Sequence, residues 1–469
     1  MIRLTITCIL LFCSSAYAVS KEGWPVRYRL PTRGDIDKES FDDIDDDVFG
    51  HQGEQPDDAA ERQDLTLKQE VTYYFGTFVS TSPYPGVRAT YFGTELMSQL
   101  SNVNKDLQIL IELESYKQFL EKRNLPSYPN PRMFLSGLVD AYAFYGNGAT
   151  GSSESDIDLG GAEIGFLLTV NNWLNSIVIL EYDNEQISVF GDRVNNSRIH
   201  VQNGIIMLGD LDASPFYCSL GQVYVPFGQY TTYASIQRPL TRLLFRTLAR
   251  EVALGYYNGS LQGAVFAFKG GAFRDGGKNI NNFGCNISYV LSGDTFQGKF
   301  GAGVIRNIAD SQLQLVSFNP VISHPLVHVV PGAFVNANIS YKSLRFLGEY
   351  ISATRPFALS DMGFSTDGGA TFTGAHVSAL DVELAYIFDI FGKESSLALG
   401  YSRSWEALGF ALPKHRALLT STTNVAKGAL FSIELGYNRL YGENERASGR
   451  VLPGNPFYLN ENNAGYNDF

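Results

Sequence analysis

Long apolar runs are what this chain most plainly lacks. After the N-terminus no stretch approaches the roughly eighteen consecutive apolar residues that a membrane-spanning helix needs. Chemistry-bearing residues are also sparse, with 6 histidines, 4 cysteines and 3 tryptophans in 469 residues. There is no Gly-x-Ser-x-Gly elbow, no His-Glu-x-x-His pair and no phosphate-binding Walker loop, so the chain reads as a non-enzyme that needs no cofactor. His324 and His328 have the spacing of a helical metal pair, but Pro325 between them opposes a helix. Positive charge is short as well: 36 Lys and Arg stand against 48 Asp and Glu, a net of −12, which argues against nucleic acid as a partner.

What is present begins with a secretory leader, predicted over residues 1–18. Arg3 is its one charge, Ile6 to Phe12 is apolar, and Ala16-Tyr17-Ala18 is a small-x-small cleavage site. Losing that single base would take the net charge from −12 to −13. Cys8 and Cys13 would leave with the leader, and Cys218 and Cys285 are read as two separate thiols. Residues 19–68 read as a disordered acidic segment around Asp42-Asp43-Ile44-Asp45-Asp46-Asp47. A calcium loop would need ligands on alternate positions, a central Gly and a final Glu, none of which occurs there.

Residues 69–130 form a predicted periplasmic region. Val71–Val79 is strand-like. Pro83 and Pro85-Gly86 break it. Leu96, Leu100, Val103, Leu107 and Leu110 then recur at three or four residues, which predicts one amphipathic helix over about 95–123, packed at a barrel mouth.

From about Met133 to Tyr441 the pattern changes to unbroken alternation of apolar with small or polar side chains. Ala162, Ile164, Phe166, Leu168 and Val170 share one face of a strand; Phe283, Cys285, Ile287, Tyr289 and Leu291 share one face of another. Short connections, such as Asn171-Asn172, Asn258-Gly259 and Gly293-Asp294, alternate with long ones, such as 227–248, 308–330 and 355–373. A membrane strand takes about 9–11 tilted residues, and a sheet can span lipid only when closed on itself. The expected fold is therefore all-β: a closed antiparallel transmembrane β-barrel of about 16 strands over residues 131–469. Its short turns face the periplasm and its long loops face outside. The last strand is expected within 457–469. Phe469 is the terminal aromatic that barrel-assembly machinery would read, although Asn463, Gly465 and Asn467 before it are not apolar.

Several stretches resemble a known family. Ser80-Thr81-Ser82-Pro83-Tyr84-Pro85-Gly86-Val87-Arg88, Gly93-Thr94-Glu95-Leu96 and Asn102-Val103-Asn104-Lys105-Asp106-Leu107 are similar to the N-terminal region of legiobactin-receptor (LbtU-type) siderophore porins. Gly221-Gln222-Val223-Tyr224-Val225-Pro226-Phe227-Gly228 and Pro239-Leu240-Thr241 look like that family's barrel segment. The resemblance implies an outer-membrane porin for a ferric siderophore or other anionic small molecule, independent of TonB. A general anion-selective porin and a non-transporting surface adhesin or envelope protein are the alternatives.

The third long connection carries the candidate site. Arg238, Arg242, Arg246 and Arg250 recur at every fourth residue, and a helix over 239–250 would place them on one face. One reading makes them an anion-selecting constriction, with Tyr224, Tyr230 and Tyr233 adding contact to the ligand. The other makes them a brace paired with Glu163, Glu181 or Glu251. No metal site is expected.

Overall fold

A computed structural model describes residues 2–10, 71–74, 77–81, 104–122, 130–147, 153–183, 198–272, 279–293, 295–311, 314, 326–426 and 429–449. The strands in chain order are β1 (Ile2–Leu10), β2 (Val71–Tyr74), β3 (Thr77–Thr81), β4 (Arg132–Asn147), β5 (Ser153–Thr169), β6 (Leu174–Asp183) and β7 (Arg198–Leu208). Next come β8 (Phe216–Tyr224), β9 (Leu248–Tyr257), β10 (Leu261–Phe268), β11 (Asn282–Ser292), β12 (Phe296–Ile305), β13 (Gly332–Tyr341) and β14 (Leu344–Ala353). The series ends with β15 (Met362–Ser365), β16 (Thr373–Gly374), β17 (Ser378–Ile390), β18 (Lys393–Trp405), β19 (His415–Ala426), β20 (Ala429–Arg439) and β21 (Arg446–Gly449). Two α-helices matter below, α1 (Lys105–Lys122) and α2 (Leu240–Phe245).

Eighteen strands share one sheet. Two of them, β2 and β3, form a hairpin whose second strand lies parallel to the start of β4, Phe78 beside Arg132 and Thr81 beside Leu135. That puts the Thr77–Thr81 backbone beside the start of β4. The other sixteen pair antiparallel with their neighbours in chain order, with β14 passing directly to β17. β1 pairs with β20, Ile2 opposite Tyr437 and Leu10 opposite Ala429. It also pairs with β4, Arg3 opposite Gly146 and Leu10 opposite Val139. Each of the sixteen strands thus has two antiparallel partners. The segment read as the leader carries a strand's alternation of its own: Leu4, Ile6, Cys8 and Leu10 interleave with Arg3, Thr5 and Thr7. The strand expected within 457–469 lies outside the described residues.

The alternation in sequence becomes an inside and an outside. Along β11, Phe283, Ile287 and Tyr289 are exposed while Gly284, Asn286 and Ser288 are half-buried. Leu254, Val265, Val304, Val335, Leu399, Leu419 and Leu435 are exposed on the outer face of other strands. Apolar side chains turned outward at every second position suit an apolar solvent, not water. Cys218 on β8 and Cys285 on β11 are free thiols, with β9 and β10 between them.

Tight turns close one end. Phe391 (φ 54°) and Gly392 (φ 72°) join β17 to β18 with positive φ at both central residues, the turn whose twist matches that of the strands. Asn171 Oδ1 accepts the Trp173 and Leu174 amides, and Asn258 Oδ1 accepts that of Leu261. At the other end the long connections pack on one another. Residues Met362–Ser365, Thr373–Gly374 and Arg446–Gly449 form a separate three-stranded sheet. A buried cluster including Phe268, Ile308, Leu326, Phe357, Phe410 and Tyr441 lies under it.

Candidate functional site

The connection from β8 to β9, residues 225–247, folds inward across the sheet's interior. What holds it there is carboxylate on the far wall, and the partners are backbone amides. Glu349 on β14, Asp381 and Glu383 on β17 and Glu434 on β20 all sit on inward-facing positions. Glu349 accepts the amides of Gln229 (2.5 Å) and Tyr230 (3.1 Å). Glu383 accepts that of Tyr233 with both oxygens, each at 3.1 Å. Glu434 accepts three successive amides, Ser235, Ile236 (2.9 Å) and Gln237 (3.0 Å). Asp381 accepts Leu240 (3.3 Å) and Thr241 (2.7 Å), the first two amides of α2, and so caps that helix from another strand. The positive φ of Gly228 (85°) and Tyr230 (56°) turns the loop so that consecutive amides face one carboxylate. At the other end of α2 the Leu244 carbonyl accepts Ser311 Oγ (2.6 Å) and Gln314 Nε2 (3.0 Å). The cavity left between this loop and the wall is about 30 Å³, room for one water, and is lined by Gln229, Thr232, Asn336, Glu349, Glu383 and Ser402.

Of the predicted arginines, three come together and one does not. α2 is six residues long; Arg246 is already extended, at ψ 129°. The pairing of β9 with β8 takes over the backbone from Leu248, so the four-residue spacing stops marking a common face. Arg250 lies exposed among outward residues of β9, beside Val252 and Leu254, and does not belong to the site. Arg242 is 4% exposed, and among the described residues its Nε and Nη1 have no hydrogen-bond partner. Burial first, then Arg246 and Arg238, pull its guanidinium well below its ordinary pKa. Arg246 stacks on the Tyr224 ring at 4.0 Å. The Arg238 carbonyl accepts Arg416 Nη1 (2.7 Å). Tyr230 and Tyr233 are each 1% exposed, and Tyr230 Oη donates to the Phe227 carbonyl (2.7 Å). Both tyrosines are packed within the loop, and Tyr230 lines the small cavity against the wall.

Across the interior stand the acids of the near wall. Glu163 on β5 and Glu181 on β6 are direct cross-strand partners, and Gln202 Nε2 reaches Glu181 at 2.7 Å. Arg238 acts electrostatically on Asp140 and Glu181, and Arg246 on Glu181. The interior is therefore basic on the loop side and acidic on the β4–β6 side. Glu251, the third acid expected to brace the arginines, is inward on β9 but interacts with Asp106 of α1.

Below the arginines sits α1, deeper than the mouth position its sequence suggests. Lys105, Asp106, Leu107, Ile109 and Leu110 are all buried. Their apolar members pack against Leu167, Ile177, Ile179, Ile205, Met207 and Tyr257. Burial pulls the Lys105 ammonium down to about 8, with Glu163, Glu181 and Glu112 opposing the shift. Neither this placement nor the four anchoring carboxylates was read from sequence. The signal for the second was there: a lone acid mid-strand on the inner face, as in Gly348-Glu349-Tyr350 and Ile433-Glu434-Leu435.

Among the described residues no group of three His, Cys, Asp or Glu side chains is placed to hold a metal. His328 Nε2 lies 3.2 Å from the Pro356 carbonyl; His324 is outside the described residues.

No protein-family model matches the chain. It is 30% identical over 382 residues to a UPF0422 protein of Coxiella burnetii (strain RSA 493 / Nine Mile phase I), covering 80% of this chain and 79% of that protein. A UPF0422 protein of Legionella pneumophila (strain Paris) is 29% identical over 401 residues, covering 82% and 73%. Among solved structures, an anion-selective porin from Comamonas acidovorans aligns with a TM-score of 0.45 at 14% identity, over 70% of this chain and 96% of that one. Salmonella typhi OmpF, in complex with daunomycin, aligns with a TM-score of 0.40 at 14% identity, over 66% and 97%.

Proposed function

The chain belongs to the UPF0422 family, and from that premise we propose that it is a closed sixteen-stranded outer-membrane channel. Its cargo is an anionic small molecule, a ferric siderophore of the polycarboxylate kind, taken up without TonB. Its location is the outer membrane of a Gram-negative bacterium, the class of organism from which its relatives come. The observation that carries the transport reading is the cluster of Arg238, Arg242 and Arg246 on a loop folded into the interior. Guanidinium groups bind carboxylates in a planar fork, and an acidic chain needs local positive charge on the path of an anion. A TonB-dependent receptor would need about 22 strands and a large plug domain. Uptake of iron carried by a citrate-type siderophore, in iron-limited cells with and without the gene, tests the reading. We expect uptake to fall several-fold in its absence. Equal uptake alongside retained conductance for small anions would favour a general anion porin.

A second reading, a non-transporting envelope protein, draws on the filled interior, where packed loops close one end and α1 the other. A purified protein that never conducts would favour it.

A further inference from the structure

We propose that α1 is a displaceable plug: the chain's own helix, seated N-terminus first inside the sheet, holds the channel shut, and its withdrawal opens it. This rests on the channel reading above.

The seat has three parts. Deepest is polar contact: Ser219 Oγ on β8 donates to Asp106 Oδ2 at 2.6 Å, and Asn286 Nδ2 on β11 reaches Asn104 Oδ1 at 3.3 Å. Next is the apolar collar around Leu107, Ile109 and Leu110. Last is a latch at the short-turn rim, where Lys117 Nζ pairs with Asp210 at 3.4 Å and with Asp212, both in the turn between β7 and β8. An 18-residue helix is about 27 Å long, nearly the thickness of a membrane's hydrocarbon core, so a helix entering at that rim reaches well into the interior.

Two features make it a plug and not a strut. Strands β4–β14 and β17–β20 pair with one another in series, so their hydrogen bonding does not depend on α1. And the helix carries Lys105 and Asp106 into a buried site, where charge opposes docking; a permanent core element would carry apolar side chains there. Lys105 lies under the electrostatic influence of Glu163 and Glu181, and Arg238 and Arg246 act on Glu181 from the other side. The plug and the arginine loop therefore share an acidic wall, and withdrawing one leaves that wall to the other.

The test uses the full chain carrying Ile109→Asp and Leu110→Asp, with Cys218→Ser, Cys285→Ser and Leu107→Cys as a reporter. Forcing two carboxylates into the apolar collar biases the helix outward. Single-channel recording in planar bilayers should show open probability raised roughly tenfold or more over the same chain without the two aspartates. Residue 107 should become reactive to a membrane-impermeant maleimide. A folded variant whose conductance and labelling match its parent overturns the plug and leaves the channel reading standing. Labelling without conductance overturns the channel reading, and the plug with it. Should the aspartate variant not fold, Lys117→Cys with Asp210→Cys, in the background lacking Cys218 and Cys285, ties the latch covalently. Conductance should then be lower oxidised than reduced, and equal conductance in the two states overturns the plug.

Discussion

Replacing Arg242 and Arg246 by Glu is expected to turn the pore from anion to cation preference and to cut siderophore uptake at least about tenfold, with the sheet still folded. At an effective dielectric of about 20, a unit charge 4 Å from a guanidinium gains roughly 4 kcal/mol before desolvation. A third of that, about 1.4 kcal/mol, is already a factor of ten in occupancy. Reversal swings the interaction through zero to repulsion. It also places new carboxylates opposite Asp140, Glu163 and Glu181, making both sides of the interior acidic. The folding cost falls on the loop: Arg246 loses its stacking on Tyr224, about 0.5–2 kcal/mol, and a carboxylate at the buried position of Arg242 adds a desolvation cost. The amides that fasten the loop are elsewhere in it. Reversal potentials under a salt gradient measure the outcome. A folded charge-reversed protein with unchanged selectivity would mean the arginines only brace the loop. Arg250→Glu is the internal control: its side chain is on the outer face, and selectivity should not move.

The strands were legible because lipid and interior impose a strict period of two, and that period survives in sequence wherever both faces are in use. Strands accordingly flank the short connections expected at Asn171-Asn172, Asn258-Gly259 and Gly293-Asp294 and the long one expected at 227–248. The arginine loop was legible as a concentration of charge but not as a shape. Spacing of four suggests a helix, yet strand pairing outcompetes helix propensity from Leu248 onward, and Arg250 is carried to the other face. The anchoring acids escaped notice because their partners are backbone amides, which have no letter in the sequence. A carboxylate that accepts two or three main-chain N–H groups looks, residue by residue, like any inward acid. α1 escaped for a related reason. Its apolar face announces that something must cover it but not whether that cover is a rim or a ring. Its buried Lys105 and Asp106, which settle the depth, read on their own as a solvated end.

The anchoring acids supply the other large effect. Glu434→Ala is expected to free the loop. Glu434 is 0% exposed and takes three consecutive amides, more than any of the other three carboxylates takes from the backbone. Stranding a buried donor costs about 1–3 kcal/mol, so three stranded together cost more than a loop would bear without moving. The cheaper response is for residues 235–237 to leave the wall and find water, taking Pro239 and the start of α2 with them. Trypsin reads this directly, because the freed segment carries Arg242 and Arg246; Arg238 is followed by Pro239 and is not cut. Wild-type protein should resist cleavage there, Arg242 being buried. Glu434→Ala should be cut in this loop before anywhere else in the sheet. Glu434→Gln keeps the shape and one good acceptor but loses the charge, and should fall between. Glu383→Ala, which strands the single amide of Tyr233, should be milder still. A freed loop would also scatter the arginines, so the same variants should lose anion preference in that order. If Glu434→Ala resists trypsin as wild type does, the carboxylates merely accompany a loop that its apolar residues, Leu240, Leu244 and Phe245, already hold.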